Sequence, residues 1–75
     1  MKIGIIGMGH VGATLAYTLC LQGLAETLIL IDTNEAKVQA EYLELSDAVK
    51  NLDHDVKLAK NDYAALVDAA LVVFC

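Results

Sequence analysis

Arginine is absent from this sequence, and five lysines stand against ten acidic residues, for a formal net charge of −5. No basic stripe exists to follow a nucleic-acid backbone, which excludes polyanion binding as the main task. Cysteine is scarce as well. Cys20 and Cys75 are the only two, and their separation matches no metal-ligand or redox spacing. Both read as buried free thiols, not as a disulfide. Asp53-His54-Asp55 is the one tempting metal cluster, but no further ligand lies nearby, so it reads as a solvated turn and no metal is expected. No repeat, linker or low-complexity segment appears.

Charge is also missing from one long stretch: nothing between Ile3 and Ala25 carries a full charge. Such a stretch after Lys2 raises the question of a signal peptide or a membrane span. Gly4, Gly7, Gly9 and His10 break up its start, and Tyr17-Thr18-Leu19 ahead of Cys20 lacks the small residue of a lipoprotein cleavage site. Export and insertion are therefore not expected. Mild acidity suits a cytoplasmic protein that binds neither membrane nor nucleic acid.

What is present is apolar. Hydrophobic residues make up 57% of the 75 positions, high for a unit this small, whose core is modest. The apolar runs are continuous rather than alternating, as in parallel strands covered on both faces. The run Leu71-Val72-Val73-Phe74-Cys75 stops inside what reads as a strand, with no turn or cap. The expectation is an N-terminal piece of a larger protein, residues 1–75 forming the first part of a nucleotide-binding domain without a substrate domain.

The organising stretch runs from Lys2 to Asp32. Lys2 to Ile6 reads as a strand. Gly7, Gly9 and Gly12 follow at the G-x-G-x-x-G spacing, then a helix from Val11 to Gly23, then a strand from Thr27 to Ile31 that ends on Asp32. Strand, glycine turn, helix, strand and acid together form a dinucleotide-binding fingerprint. Gly7 permits the tight turn out of the strand. Gly9 lets backbone approach a pyrophosphate closely, and Gly12 lets the helix pack on the sheet. The helix N-terminus offers unpaired N–H groups and a partial positive charge. Asp32, twenty residues beyond Gly12, can accept hydrogen bonds from both hydroxyls of a ribose. The plainer alternative is a glycine turn opening a buried helix, with Asp32 merely ending a strand. Met8 and His10 occupy the variable positions of the turn. His10 could pair with a pyrophosphate if protonated, although a loop histidine without a role is the simpler reading.

In the helix, Val11, Leu15 and Leu19 recur every four residues, with Ala16, Cys20 and Leu24 as a neighbouring row. Gly23 is a natural stop. Such a helix should be mostly covered. Thr33-Asn34 then offers a cap for a second helix over about Glu35 to Asn51. Its stripe is Val38, Tyr42, Leu45, Val49 and Leu52. Ala40 and Leu43 lie beside the stripe, a weak hint of a covered second face. Lys37 with Glu41, and Asp47 with Lys50, are candidate surface pairs. Val56 to Ala59 reads as a third strand, Asp62 as the cap of a short helix through Val67, and Ala70 to Cys75 as a fourth strand. The fold class expected is α/β: the N-terminal half of a Rossmann fold, a parallel sheet of about four strands in order 3-2-1-4 with crossover helices.

Gly-Met-Gly-His-Val-Gly-Ala-Thr at Gly7 to Thr14, Gln22-Gly23-Leu24-Ala25-Glu26 and Leu28-Ile29-Leu30-Ile31-Asp32 resemble the L-lactate/malate dehydrogenase family. Asn34-Glu35-Ala36-Lys37-Val38 and Leu45-Ser46-Asp47-Ala48 look closest to its L-2-hydroxyisocaproate dehydrogenase branch. The resemblance covers the family's opening cofactor-binding segment. It implies that Gly7, Met8, Gly9, His10, Val11 and Gly12 line a pyrophosphate, that Asp32 holds the adenosine ribose of NAD in preference to NADP, and that Lys37 lies near the adenosine. An ordinary solvated lysine is the alternative for Lys37. Glu44-Leu45-Ser46-Asp47 stands where lactate dehydrogenases carry Asp-Leu-x-His, and Asp68-Ala69-Ala70 replaces Asp-Ala-Asp, which favours the broader 2-hydroxy acid branch.

The resemblance further implies an oxidoreductase that moves a hydride between NAD(H) and a 2-hydroxy or 2-oxo acid, acting as a homo-oligomer when intact. The family's catalytic histidine and its arginines have no counterpart here: His10 and His54 do not match, so no catalytic residue is assigned. A non-catalytic NAD-binding or redox-sensing module, or a truncated remnant, would present the same segment.

Overall fold

Four strands lie side by side, all parallel, in the order β3-β2-β1-β4. The computed structural model describes residues 1–75. The elements follow in the sequence β1 (Lys2–Ile6), α1 (His10–Gln22), β2 (Thr27–Ile31), α2 (Glu35–Val49), β3 (Lys57–Lys60), a 3-10 helix (Tyr63–Asp68) and β4 (Leu71–Phe74). The expected class and strand order are both observed. β1 is central and pairs with β2 from Lys2–Thr27 to Ile6–Ile31, and with β4 from Ile3–Leu71 to Ile6–Phe74.

Parallel strands need crossovers, and the crossovers cover both faces of the sheet. Successive side chains on a strand point to opposite faces. Ile3, Ile5, Leu28 and Leu30 join Ala16 and Cys20 of α1 and Val38 and Leu45 of α2 in one core. Ile29 and Ile31 are equally buried but belong to the other face, where the 3-10 helix packs against β1 and β2. Leu66 of that helix sits directly over Gly4, whose missing side chain makes the room. Each fully buried Ile or Leu stabilises the fold by roughly 1.5–3 kcal/mol.

The caps behave as their chemistry requires. Asn34 Oδ1 accepts the Lys37 N–H at 3.3 Å, and Asp62 Oδ1 accepts the Ala65 N–H at 3.2 Å. Gly23 ends α1 with φ 68°, in the left-handed region. No helix is long and apolar enough to cross a membrane.

Several expectations are corrected. Helix α1 buries the row Gly12, Ala16 and Cys20, while Val11 and Leu24 are exposed. The helix is less covered than expected: small residues bring it close to the sheet, Leu15 and Leu19 pack partly against the core, and Val11, Tyr17 and Leu21 face outward. Helix α2 stops at Val49, two residues early, and β3 is shifted by one to Lys57–Lys60. β4 is Leu71–Phe74, and Cys75 is an exposed thiol, not a buried one. Cys20 is buried, and burial pushes its thiol pKa up. Lys50 pairs with Asp47 at 3.5 Å, but Lys37 and Glu41 form no ion pair. No group of three or more metal-binding side chains gathers anywhere.

Candidate cofactor site

Strands β1 and β2 both point their C-terminal ends at the glycine turn. The Gly7 N–H donates to the Ile31 carbonyl at 2.7 Å, which fixes the turn to β2. Gly7 has φ 109°, a conformation that L side chains rarely adopt. Gly12 is held by sterics: a Cβ there would lie 1.9 Å from the Gly7 carbonyl oxygen. The first turn of α1 therefore rides directly on the end of β1.

Gly9 differs from both. It is the N-cap of α1, with φ −73°, and a Cβ built on it would meet nothing within 4 Å. Nothing within the chain therefore requires a glycine at this position, and the space above it is open. The N–H groups of Gly9, His10 and Val11 take no partner from the chain. They open a helix with no acidic side chain in its first turn. Unpaired donors at a helix N-terminus, beside a position with no Cβ, form an anion cradle.

Asp32 stands just past β2, at the edge of this cradle. Its Oδ1 accepts the Asn34 N–H at 2.8 Å, and its Oδ2 accepts the Met8 N–H at 2.7 Å. These backbone donors, Asn34 first and then Met8, hold its carboxyl below the usual carboxylate range, and the Lys37 charge adds to the effect. Each oxygen keeps further acceptor capacity. A pair of fixed, ionised oxygens suits the two adjacent hydroxyls of a ribose.

The remaining candidates sort by position. Met8 is buried to 3% exposure, so its side chain belongs to the core and only its backbone faces the site. His10 is exposed at the start of α1. Lys37 joins Met8, Gly9, His10, Ala13, Ala40 and Glu41 around a groove of about 310 Å³. The structure therefore brings Gly7, Met8, Gly9, His10, Gly12, Asp32 and Lys37 to one region, with Val11 directed outward beside it. A larger hollow, about 490 Å³, opens between α2 and the end of β3. It does not border the glycine turn; the smaller groove does, and a further hollow borders His10 and Val11 along α1.

His54 lies at the opposite end of the sheet and is not the plain solvated residue expected. Its Nε2 is 2.9 Å from the Cys20 carbonyl oxygen, at the C-terminus of α1, and its Nδ1 is 3.1 Å from Asp53 Oδ1. Both contacts raise its pKa, the Cys20 carbonyl most. One contributor to the site escaped sequence reasoning altogether. Asn61, at the end of β3, accepts the Asp32 N–H through Oδ1 at 3.1 Å. The usable signal was an asparagine placed where a strand must turn away.

Comparison with known proteins agrees with this geometry. A family model described as lactate/malate dehydrogenase, NAD binding domain, matches residues 1–75. L-lactate dehydrogenase from Thermoanaerobacter sp. is 42% identical over 72 residues, which span 96% of this chain and 23% of that protein. A probable L-lactate dehydrogenase from Schizosaccharomyces pombe is 41% identical over 73 residues, or 97% of this chain and 22% of its own length. The crystal structure of the minor L-lactate dehydrogenase from Enterococcus mundtii superposes with a TM-score of 0.90 at 37% identity, covering 97% of this chain and 23% of that one. The chain thus spans less than a quarter of the length of each of these three relatives. With its fingerprint, its four parallel strands and its match to the family's cofactor-binding region, the chain belongs to the lactate/malate dehydrogenase family, within the domain that binds NAD.

Proposed function

We propose that this chain is the adenosine-binding portion of an NAD-dependent dehydrogenase acting on a small L-2-hydroxy acid, of the lactate or 2-hydroxyisocaproate type. The observation that carries the reading is the meeting of two features at one end of the sheet. Unpaired N–H groups at Gly9 to Val11 border open space, and the Asp32 carboxylate stands beside them, tied to the turn through Met8.

In this reading Gly7, Met8, Gly9, His10, Val11 and Gly12 surround the pyrophosphate, mainly through backbone. Asp32 holds the adenosine ribose, and Lys37 lies beside the adenosine. Bound NAD would supply the hydride acceptor. The chain's own part is to hold and orient it: the helix N-terminus carries the phosphate charge, and Asp32 sets which ribose fits. A 2′-phosphate would face the Asp32 carboxylate, so NADP is disfavoured by charge repulsion. The assignment to the 2-hydroxyisocaproate branch rests on Asn34 to Val38 and Leu45 to Ala48.

Titration of the 75-residue chain with NADH, ADP-ribose and NADPH tests the reading. Saturable binding of the first two, with NADPH weaker by at least about tenfold, is expected. Equal affinity for NADH and NADPH, or no binding of either, would overturn it. The chain by itself should not reduce a 2-oxo acid. Measurable reduction of pyruvate or of 4-methyl-2-oxopentanoate by the purified chain would show that catalytic groups have been overlooked.

A further inference from the structure

The ladder between β2 and β3 changes character where it reaches Asp32. The two strands run in register from Thr27–Lys57 to Leu30–Lys60. The next rung is normal: the Asn61 N–H donates to the Leu30 carbonyl at 2.8 Å. In a regular parallel ladder the rung after that would join the Asp32 N–H to the Asn61 carbonyl. Here Asn61 adopts φ 50°, the one non-glycine residue in the left-handed region. Its backbone turns away into Asp62, which caps the 3-10 helix. The Asp32 N–H instead donates to Asn61 Oδ1 at 3.1 Å. The side-chain amide occupies the place of the carbonyl that the turn has removed.

This exchange needs asparagine twice. Asparagine tolerates positive φ better than most side chains, and its short amide reaches back across the ladder. The result is that Asp32 is fixed on both sides. Its carboxylate is held by the N–H groups of Met8 and Asn34, and its own N–H is held by Asn61.

We propose that Asn61 is a positioning residue for Asp32, replacing a strand rung with a side-chain bond so that the carboxylate is aimed before cofactor arrives. The consequence for NADH affinity rests on the function proposed above. The positioning itself does not, and can be read without any ligand.

Two variants separate the parts. Asn61→Gly keeps the backbone free to adopt positive φ and removes only the amide. Asn61→Asp keeps an oxygen acceptor and adds a charge next to Asp32. In Asn61→Gly, the Asp32 amide proton should exchange markedly faster with solvent while the melting temperature barely moves. The dissociation constant for NADH should rise about fivefold, the worth of one neutral hydrogen bond. In Asn61→Asp, the Asp32 amide should stay protected and the Asp32 carboxyl should titrate at higher pH than in the parent chain.

An Asp32 amide that exchanges equally in the parent and in Asn61→Gly overturns the proposal, whatever the ligand result. So does an unchanged NADH constant in a folded, deprotected Asn61→Gly. If the parent binds no NADH, the cofactor reading fails, and amide exchange still decides the role of Asn61. If Asn61→Gly does not fold, Asn61→Asp decides: loss of Asp32 protection there rejects Oδ1 as the acceptor.

Discussion

The Asp32 carboxylate accepts the Met8 N–H at 2.7 Å, joining the end of β2 to the turn that leaves β1. The residue proposed to hold the ribose is thus also a brace of the glycine turn. Replacing it should harm both tasks. In Asp32→Asn one oxygen remains, while the charge and one acceptor are lost. NADH binding is expected to weaken by about tenfold to a hundredfold, the range for hydrogen bonds to a charged group. Calorimetric titration checks this, and an affinity equal to that of the parent would remove Asp32 from the site.

The pH dependence follows from the direction of its pKa. The folded chain holds the Asp32 carboxyl below its ordinary range. Its stabilising contribution is therefore complete above the pKa that the unfolded chain would show. That contribution disappears as pH falls through the depressed folded value. Acid titration followed by circular dichroism should show Asp32→Asn losing less stability than the parent between neutral pH and about pH 3.

Gly9 and Gly12 should respond in opposite ways to alanine. A Cβ at Gly12 would lie 1.9 Å from backbone that cannot move aside cheaply. Gly12→Ala should destabilise the fold by about 3 kcal/mol, as overpacking does at its severe end. A Cβ at Gly9 meets nothing in the chain. Gly9→Ala should melt within a few degrees of the parent yet lose most of its NADH affinity. Thermal melts and titrations of the same two samples test both halves. A Gly9→Ala chain that binds normally would show that pyrophosphate does not occupy that space.

His54 makes the far end of α1 sensitive to pH. Its ring meets the Cys20 carbonyl, and the acidic groups acting on it are Asp53 and Asp55. The folded pKa is raised, so its contribution is fully present below the unfolded histidine value, near 6.5. The contribution is lost as pH rises through the raised folded value. His54→Gln should flatten the fall in melting temperature between about pH 6 and 8. A parent chain whose melting temperature is level across that window would contradict the assignment.

The outer edge of β4 has no partner strand, and Val67, Leu71 and Phe74 beside it are exposed at 89%, 49% and 78%. Unprotected apolar edges invite pairing between chains. The outer edge strand on the other side, β3, carries Lys57 and Lys60. Alone in solution, the 75-residue chain should self-associate with rising concentration, and Phe74→Lys should suppress this. Sedimentation velocity would show it, and a monomer at every concentration would argue against an adhesive edge.

Sequence reading found what sterics and spacing dictate. Gly7 and Gly12 declare themselves because no other side chain fits there, and Asp32 because one helix and one strand separate it from the turn. The strand order followed from uninterrupted apolar runs joined by helices. The rotation of α1 was less legible. Its rows Val11-Leu15-Leu19 and Ala16-Cys20-Leu24 are both apolar, and no charge marks an outer face. Met8 contributes a backbone N–H, which its side-chain type does not advertise. Asn61 and His54 act on Asp32 and Cys20 across 29 and 34 positions of chain. Partnerships of that kind exist only once the strands are assembled.

The central place of β1 has a consequence for how the molecule comes into being. On the ribosome, β1 emerges before both of its neighbours, which arrive at very different times. β2 can join it early, whereas β4, which flanks its other side, begins forty residues after β2 ends. At synthesis rates of roughly 5–20 residues per second, that side of β1 waits on the order of seconds for its partner. During that interval the nascent chain displays an incomplete apolar ribbon, open to off-pathway pairing.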